Sequence, residues 1–294
     1  MTSVPTEMPY TFAEVLSCKD KPQDLPKDWE NLKAFDGLTN PRKFCGSKII
    51  YYFQFKNLLR CRRDTKGYKT LEEWFATPEL KEELWKEVVR RRVDETHPNP
   101  RPVDVYETHR LNKGAIVPFK SSTAKYIYTL FGAQNVLDPT AGWGGRMLGA
   151  SSMGIQYTGI DTNIQMMEAY RGMRDHGFTE NCEMIWKSCL DVDFSAKPYD
   201  LVLTSPPYAN MELYEHMTPW ESADAFYRDF MLPLMEKLFK ETTCPICINM
   251  SPKMYKVLTT KYQHPVCEKQ IDLRQGLGKQ WKTKSQDCLY VWRA

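Results

Sequence analysis

Asn135-Val136-Leu137-Asp138-Pro139-Thr140-Ala141-Gly142-Trp143-Gly144-Gly145-Arg146 is the stretch on which the fold turns. A short apolar run closes on an acid, and three glycines follow before residues of helical character. This reads as a strand, a tight loop and a helix, with a loop backbone bare enough to approach a ligand. No Gly-Lys-Ser/Thr follows, so it is not a Walker loop. Met147 stands where the third glycine of G-x-G-x-x-G would fall, so it is not a dinucleotide fingerprint either. Taken alone, a plain tight turn accounts for the same residues.

Downstream, short apolar runs alternate with helical stretches. Candidate strands are Asn135–Asp138, Tyr157–Asp161, Glu183–Lys187, Asp200–Thr204, Pro245–Met250, Val266–Leu273 and Cys288–Arg293. Helices are expected over Ser122–Phe131, Arg146–Met153, Asn163–His176 and Ala223–Lys240. Such alternation predicts an α/β fold with a mostly parallel sheet covered on both faces. The last two strands lack a helix between them, which predicts an antiparallel edge hairpin. Ligands of such sheets bind outside the carboxyl ends of the strands.

Upstream the pattern differs. Residues 1–40 carry Pro5, Pro9, Pro22 and Pro26 and read as an irregular arm. Residues 44–60 and 70–93 read as helices. Leu71, Trp74, Phe75, Leu80, Leu84, Trp85, Val88 and Val89 recur at helical spacing, as one buried face. His97-Pro98-Asn99-Pro100-Arg101-Pro102 breaks any helix. The chain therefore divides into a basic, mainly helical N-terminal region, 1–111, and an α/β domain, 112–294.

Composition bounds the function. With 294 residues, 42% hydrophobic and 26% charged, the chain is an ordinary globular one. No apolar run reaches the roughly 18 residues that span a bilayer, and Glu7 and Glu14 interrupt the start, so a soluble, cytoplasmic protein is expected. Nine cysteines, an odd number, read as buried hydrophobes in a reducing compartment. Cys244-Pro-Ile-Cys247 lacks the second pair that a zinc site needs, so no metal is expected. The net charge of +3 is uneven: residues 40–113 hold 17 Lys and Arg against 11 Asp and Glu, a local +6. Arg62, Arg63, Arg90 and Arg91 lie in its densest parts. They form either a phosphate-facing surface or a solvated helix face interleaved with glutamates.

Two acids stand where a nucleotide site wants them. Asp161 closes the second strand 19 residues after Gly142, placed to accept from ribose hydroxyls; Asp191 follows the third and suits an adenine amino group. Singly, each reads better as a helix cap or surface acid; their register with the glycine loop favours the nucleotide reading. The fourth strand ends in Thr204-Ser205-Pro206-Pro207-Tyr208, where two prolines stiffen a corner carrying a hydroxyl, a carbonyl and a ring.

Asp-Pro-x-x-Gly-x-Gly-Gly followed by Ser-Pro-Pro-Tyr resembles the S-adenosylmethionine-dependent amino-methyltransferases of DNA, which modify cytosine N4 or adenine N6. The likeness covers 112–294 and implies a Rossmann-like methyltransferase sheet. It implies cofactor contacts at Asp138, Pro139, Thr140, Ala141, Gly142, Gly144, Asp161 and Asp191, and at Lys120 in Pro118-Phe119-Lys120, one residue shorter than the family's usual segment. It makes Ser205, Pro206, Pro207 and Tyr208 catalytic. A base amine has its lone pair delocalised into the ring. Ser205 and the Pro206 carbonyl, accepting its two N–H bonds, would turn that pair toward the methyl group, and Tyr208 would stack on a flipped base. Serine at the head of the tetrapeptide favours cytosine N4 in DNA, in the manner of restriction–modification enzymes. Adenine N6, an RNA acceptor and an inactive nucleic-acid-binding subunit are the alternatives. Only 86 residues follow Tyr208, and they read as core, so recognition falls to residues 1–111. Lys279 and Lys282, in the hairpin loop, either add contacts or belong to a surface loop.

Overall fold

The computed structural model describes residues 5–19, 21–38, 45–63, 69–94, 97–112, 116–209, 212–213, 217–273 and 288–293. Among these are nine strands: β1 (Arg62–Arg63), β2 (Asn135–Asp138), β3 (Gln156–Asp161), β4 (Cys182–Trp186), β5 (Leu201–Thr204), β6 (Glu212–Leu213), β7 (Ile246–Met250), β8 (Lys269–Asp272) and β9 (Cys288–Trp292). Two compact units form, each discontinuous in sequence. A helical unit takes Met1–Pro22, Gln54–Val117 and Tyr208–Pro219; a sheet unit takes Gln23–Phe53, Pro118–Pro207 and Trp220–Ala294. No single cut at residue 111 reproduces that division.

The sheet unit is built on strand order β4-β3-β2-β5-β7-β9-β8. β2 to β5 and β7 pair in parallel, whereas β9 runs antiparallel between β7 and β8. The expected hairpin is therefore present at the edge, with its second strand on the inside. β5, β7 and β9 are buried along their whole length, as apolar runs between two covering layers must be. Order reverses at β2, flanked by β3 and β5, so a crevice opens beyond its carboxyl end.

The expectation of an irregular arm over residues 1–40 does not hold. Helices form at Phe12–Leu16 and Leu25–Ala34. Thr11 and Glu14 make a reciprocal capping box on the first, and Pro26 sits in the first turn of the second, where its missing N–H costs nothing. The second belongs to the sheet unit. Buried Lys125 donates to the Leu32 and Lys33 carbonyls at 2.9 and 2.7 Å, closing that helix's end. Buried Asp28 accepts from the Lys48 backbone N–H at 2.8 Å, capping the helix Ser47–Leu59. Pro102 likewise starts a helix, Pro102–Asn112, and Pro252 another, Pro252–Thr260.

In the helical unit the expected stripe is the core. Leu71, Trp74, Leu84, Trp85 and Val88 are buried with Val15, Phe55, Val105 and Tyr106, and Phe75, Leu80 and Val89 pack against them. β1 pairs antiparallel with β6 there. Among the described residues no helix is long and apolar enough to cross a membrane. None of the nine cysteines forms a disulfide.

Candidate active site

The glycine loop is anchored from below by one buried carboxylate. Asp138 has no exposed surface. It receives Arg146 Nε at 2.6 Å and the Tyr157 hydroxyl at 2.6 Å on Oδ2, and the Thr204 hydroxyl at 3.0 Å on Oδ1. Arg146 also donates to the Thr140 carbonyl. Burial works against the Arg146 charge, but Asp138 outweighs it and holds the guanidinium pKa above its ordinary value. Asp138, which the resemblance counts as a cofactor contact, is thus taken up inside the protein and braces the loop. Because Thr204 donates to Asp138, the Thr140 hydroxyl must donate to Thr204, across 2.6 Å. That chain joins the glycine loop to the residue immediately before Ser205.

Above this anchor the backbone is shaped by glycine. Gly142 and Gly144 have φ of +60° and +89°, left-handed values that disfavour any Cβ. The Gly142 N–H donates to Asp161 Oδ2 at 2.8 Å, and the Asn163 N–H to Oδ1 at 2.8 Å. The two motifs read 19 residues apart are therefore in direct register. A carboxylate offers about four acceptor positions, enough for these amides and sugar hydroxyls together. Pro139 and Ala141 are buried and Thr140 is half-buried. Asp191 ends the turn Cys189–Asp191 beyond β4, the neighbour of β3, and is exposed.

Pro118-Phe119-Lys120 packs against the start of the helix that follows the glycine loop. The Phe119 carbonyl oxygen comes within 1.8 Å of where a Cβ on Gly145 would stand, so only glycine fits there. The Phe119 ring lies 5.1 Å from the Arg146 guanidinium. Lys120 is buried, which lowers its ammonium pKa.

Ser205, Pro206 and Pro207 fall in the sheet unit and Tyr208 in the helical one, so the chain leaves the sheet unit inside the tetrapeptide. Ala209 follows with φ of +46°, a left-handed value costing about 1 kcal/mol or more in a residue with a Cβ. Sequence reasoning missed one neighbour. Asn249 of β7, 4% exposed, donates Nδ2–H to Ser205 Oγ at 3.1 Å. Its buried Oδ1 has no hydrogen-bond partner among the described residues, an arrangement costing about 1–3 kcal/mol. A single amide in the apolar run Ile246-Cys247-Ile248-Asn249-Met250 was the available signal.

The basic candidates are less uniform. Arg90 and Arg91 are exposed near the end of the helix Pro78–Arg92, and both reach Glu87. Their hydrogen bonds, Arg90's first, hold the Glu87 carboxyl down to about 2. The backbone of Arg62 and Arg63 forms β1. Lys279 and Lys282 lie outside the described residues. Among the described residues no cluster of His, Cys, Asp and Glu suits a metal.

No family model matches the chain. Over 96 residues it is 30% identical to the tRNA (guanine(10)-N2)-dimethyltransferase of Methanothermobacter thermautotrophicus. That match takes in 33% of this chain and 27% of the relative, so the chain spans about a quarter of that relative's length. Among solved structures, an RNA methyltransferase from Salinibacter ruber in complex with S-adenosyl-L-homocysteine is similar at 13% identity and a TM-score of 0.39, over 60% of this chain and 93% of that one. An rRNA methylase from Streptococcus thermophilus is similar at 13% identity and a TM-score of 0.39, over 61% and 99%. With its parallel body, its reversal at β2 and an antiparallel β9 set inside the edge, the sheet of this chain is a mostly parallel, Rossmann-like sheet.

Proposed function

We propose that this chain transfers a methyl group from S-adenosylmethionine to an exocyclic amine of a nucleic-acid base. The observation that carries the reading is the hydrogen-bonded link from Asp138 through Thr204, which ties the glycine loop to the Ser205-Pro206-Pro207 corner within one unit. The donor set suits the cofactor: Asp161 for ribose hydroxyls, the backbone of Gly142 and Gly144 for close approach, Asp191 for the adenine amine, and Lys120 at the side. Bound there, S-adenosylmethionine supplies a methyl group on a sulfonium, and sulfur keeps the S–C electron pair as the N–C bond forms. The chain's own task is to make a poor nucleophile reactive. Ser205 Oγ and the Pro206 carbonyl accept the two N–H bonds and turn the nitrogen lone pair out of the ring plane. The methylated nitrogen is cationic until one proton leaves to solvent. Tyr208 offers a ring on which an out-turned base stacks.

RNA is the leading acceptor, because the curated relative is named for guanine N2 of tRNA, itself an exocyclic amine. Ser205 at the head of the tetrapeptide supports a second reading, cytosine N4 in DNA. Nucleoside mass spectrometry after separate incubation with tRNA, ribosomal RNA and mixed-sequence DNA distinguishes them. We expect one pool to gain a base methylated on its exocyclic amine, absent with the doubly substituted Ser205→Ala, Tyr208→Ala chain. Methylation of no pool, together with no calorimetric binding of S-adenosylhomocysteine, would leave an inactive binding subunit as the reading.

The helical unit supplies the nucleic-acid surface in this proposal, with Lys279 and Lys282 as further phosphate contacts. Changing Arg62, Arg63, Arg90 and Arg91 together to Ala is expected to weaken binding and to reduce the salt slope by roughly 0.7–0.9 per lost phosphate contact. An unchanged affinity and slope, measured by fluorescence anisotropy, would move recognition to another face.

A further inference from the structure

The register of the sheet sets two side chains against each other behind the reactive corner. Thr204 pairs with Ile248 across β5 and β7, so the next residues along, Ser205 and Asn249, are also neighbours. Their side chains meet, with Asn249 Nδ2 donating to Ser205 Oγ at 3.1 Å. A serine oxygen has two lone pairs and one hydrogen. Asn249 occupies one lone pair. What remains is one lone pair and the hydroxyl hydrogen.

We propose that Asn249 is a positioning residue that aims the Ser205 hydroxyl hydrogen at the ring nitrogen beside the target amine. The inference rests on the function proposed above. The remaining Ser205 lone pair accepts one N–H of the amine, the Pro206 carbonyl accepts the other, and the hydroxyl donates to the unprotonated ring nitrogen next to it. Cytosine N3, adenine N1 and guanine N3 each stand beside an exocyclic amine in this way. The contact reads ring orientation: a base turned over, or one lacking that nitrogen, leaves the hydroxyl hydrogen without an acceptor. Burial fixes the arrangement, because Asn249 is 4% exposed and Thr204 is wholly buried. The partnerless Asn249 Oδ1 fits the same account.

The test is a cycle between protein and substrate, on oligonucleotides carrying the base that mass spectrometry identifies. In one series that base is intact; in the other the neighbouring ring nitrogen is replaced by C–H, as in 3-deazacytosine, 1-deazaadenine or 3-deazaguanine. The wild-type chain is expected to lose about tenfold or more in kcat/KM on the deaza substrate. In Asn249→Asp the carboxylate accepts the Ser205 hydroxyl hydrogen, so the variant should be slower overall but differ by less than about threefold between substrates. Asn249→Ala serves as a second variant should the first fail to fold, with the same narrowed ratio expected. Equilibrium affinity of both oligonucleotides for the chain saturated with S-adenosylhomocysteine should show the same coupling without turnover. If the wild-type chain methylates its substrate and the variants lose the same factor as it does on the deaza base, the role of Asn249 fails alone. If the wild-type chain methylates neither RNA nor DNA, the proposed function fails and this inference with it.

Discussion

Arg146→Met is expected to lower folding stability by about 3–5 kcal/mol, the cost of leaving a buried carboxylate without its partner. Asp138 and Arg146 expose 0% and 4% of their side chains, so water cannot replace the lost guanidinium. Methionine keeps most of the volume, so the loss reports charge and hydrogen bonding and not a cavity. The damage should spread along the chain of bonds, because the Thr140 carbonyl loses a donor as well. Urea unfolding monitored by tryptophan fluorescence measures the loss. Replacing both partners, Asp138→Leu with Arg146→Met, should recover only part of it: the unpaired buried charge is gone, but the Tyr157 and Thr204 hydroxyls lose their acceptor. A single variant within about 1 kcal/mol of wild type would show that this pair is not what holds the loop.

Ser205→Ala is expected to reduce kcat by about a hundredfold or more, in line with removing one preorganised hydrogen-bonding partner from a reacting centre. The affinity for S-adenosylhomocysteine should stay within about threefold, because the proposal gives Ser205 to the acceptor and places the cofactor on other residues, at the end of β3 and in the segments beyond β2 and β4. Losing both together would mean that the corner collapses. Activity within about threefold of wild type would mean that the amine is held by other groups. The comparison needs a kcat against KM split, since a loss confined to KM would make Ser205 a docking contact.

The sheet was legible because its strands are apolar runs bounded by glycine, proline and acids. Asn135–Asp138 forms as read, and the other strands differ from the reading only at their ends, most at β8. The alignment of Gly142 with Asp161 was legible for the same reason: the loop carrying Gly142 follows β2, and Asp161 ends the adjacent β3. Prolines misled the reading of the first 40 residues, whereas the break read before Pro102 is present, between helices ending at Arg92 and starting at Pro102. A proline in the first turn of a helix gives up an N–H that has no partner there, so it marks a start as readily as a break. The Asp138 network was not legible. Arg146, Tyr157 and Thr204 are scattered along the chain, and only the parallel register brings them to one carboxylate. Asn249 carried a local signal, one amide in an apolar strand, but what it faces is a matter of register.

The interleaving of the two units also dictates an order of events during synthesis. Leu32 and Lys33 leave the ribosome 93 and 92 residues before Lys125, whose ammonium closes their helix. At roughly 5–20 residues per second they wait on the order of 5–20 s for it. Throughout that interval the intervening Gln54–Val117 is emerging, itself short of Tyr208–Pro219. Each half of the molecule therefore waits on chain made after the other has begun. A gene fragment starting at residue 112 would encode only part of the sheet unit and would strand the Lys125 ammonium without its carbonyls.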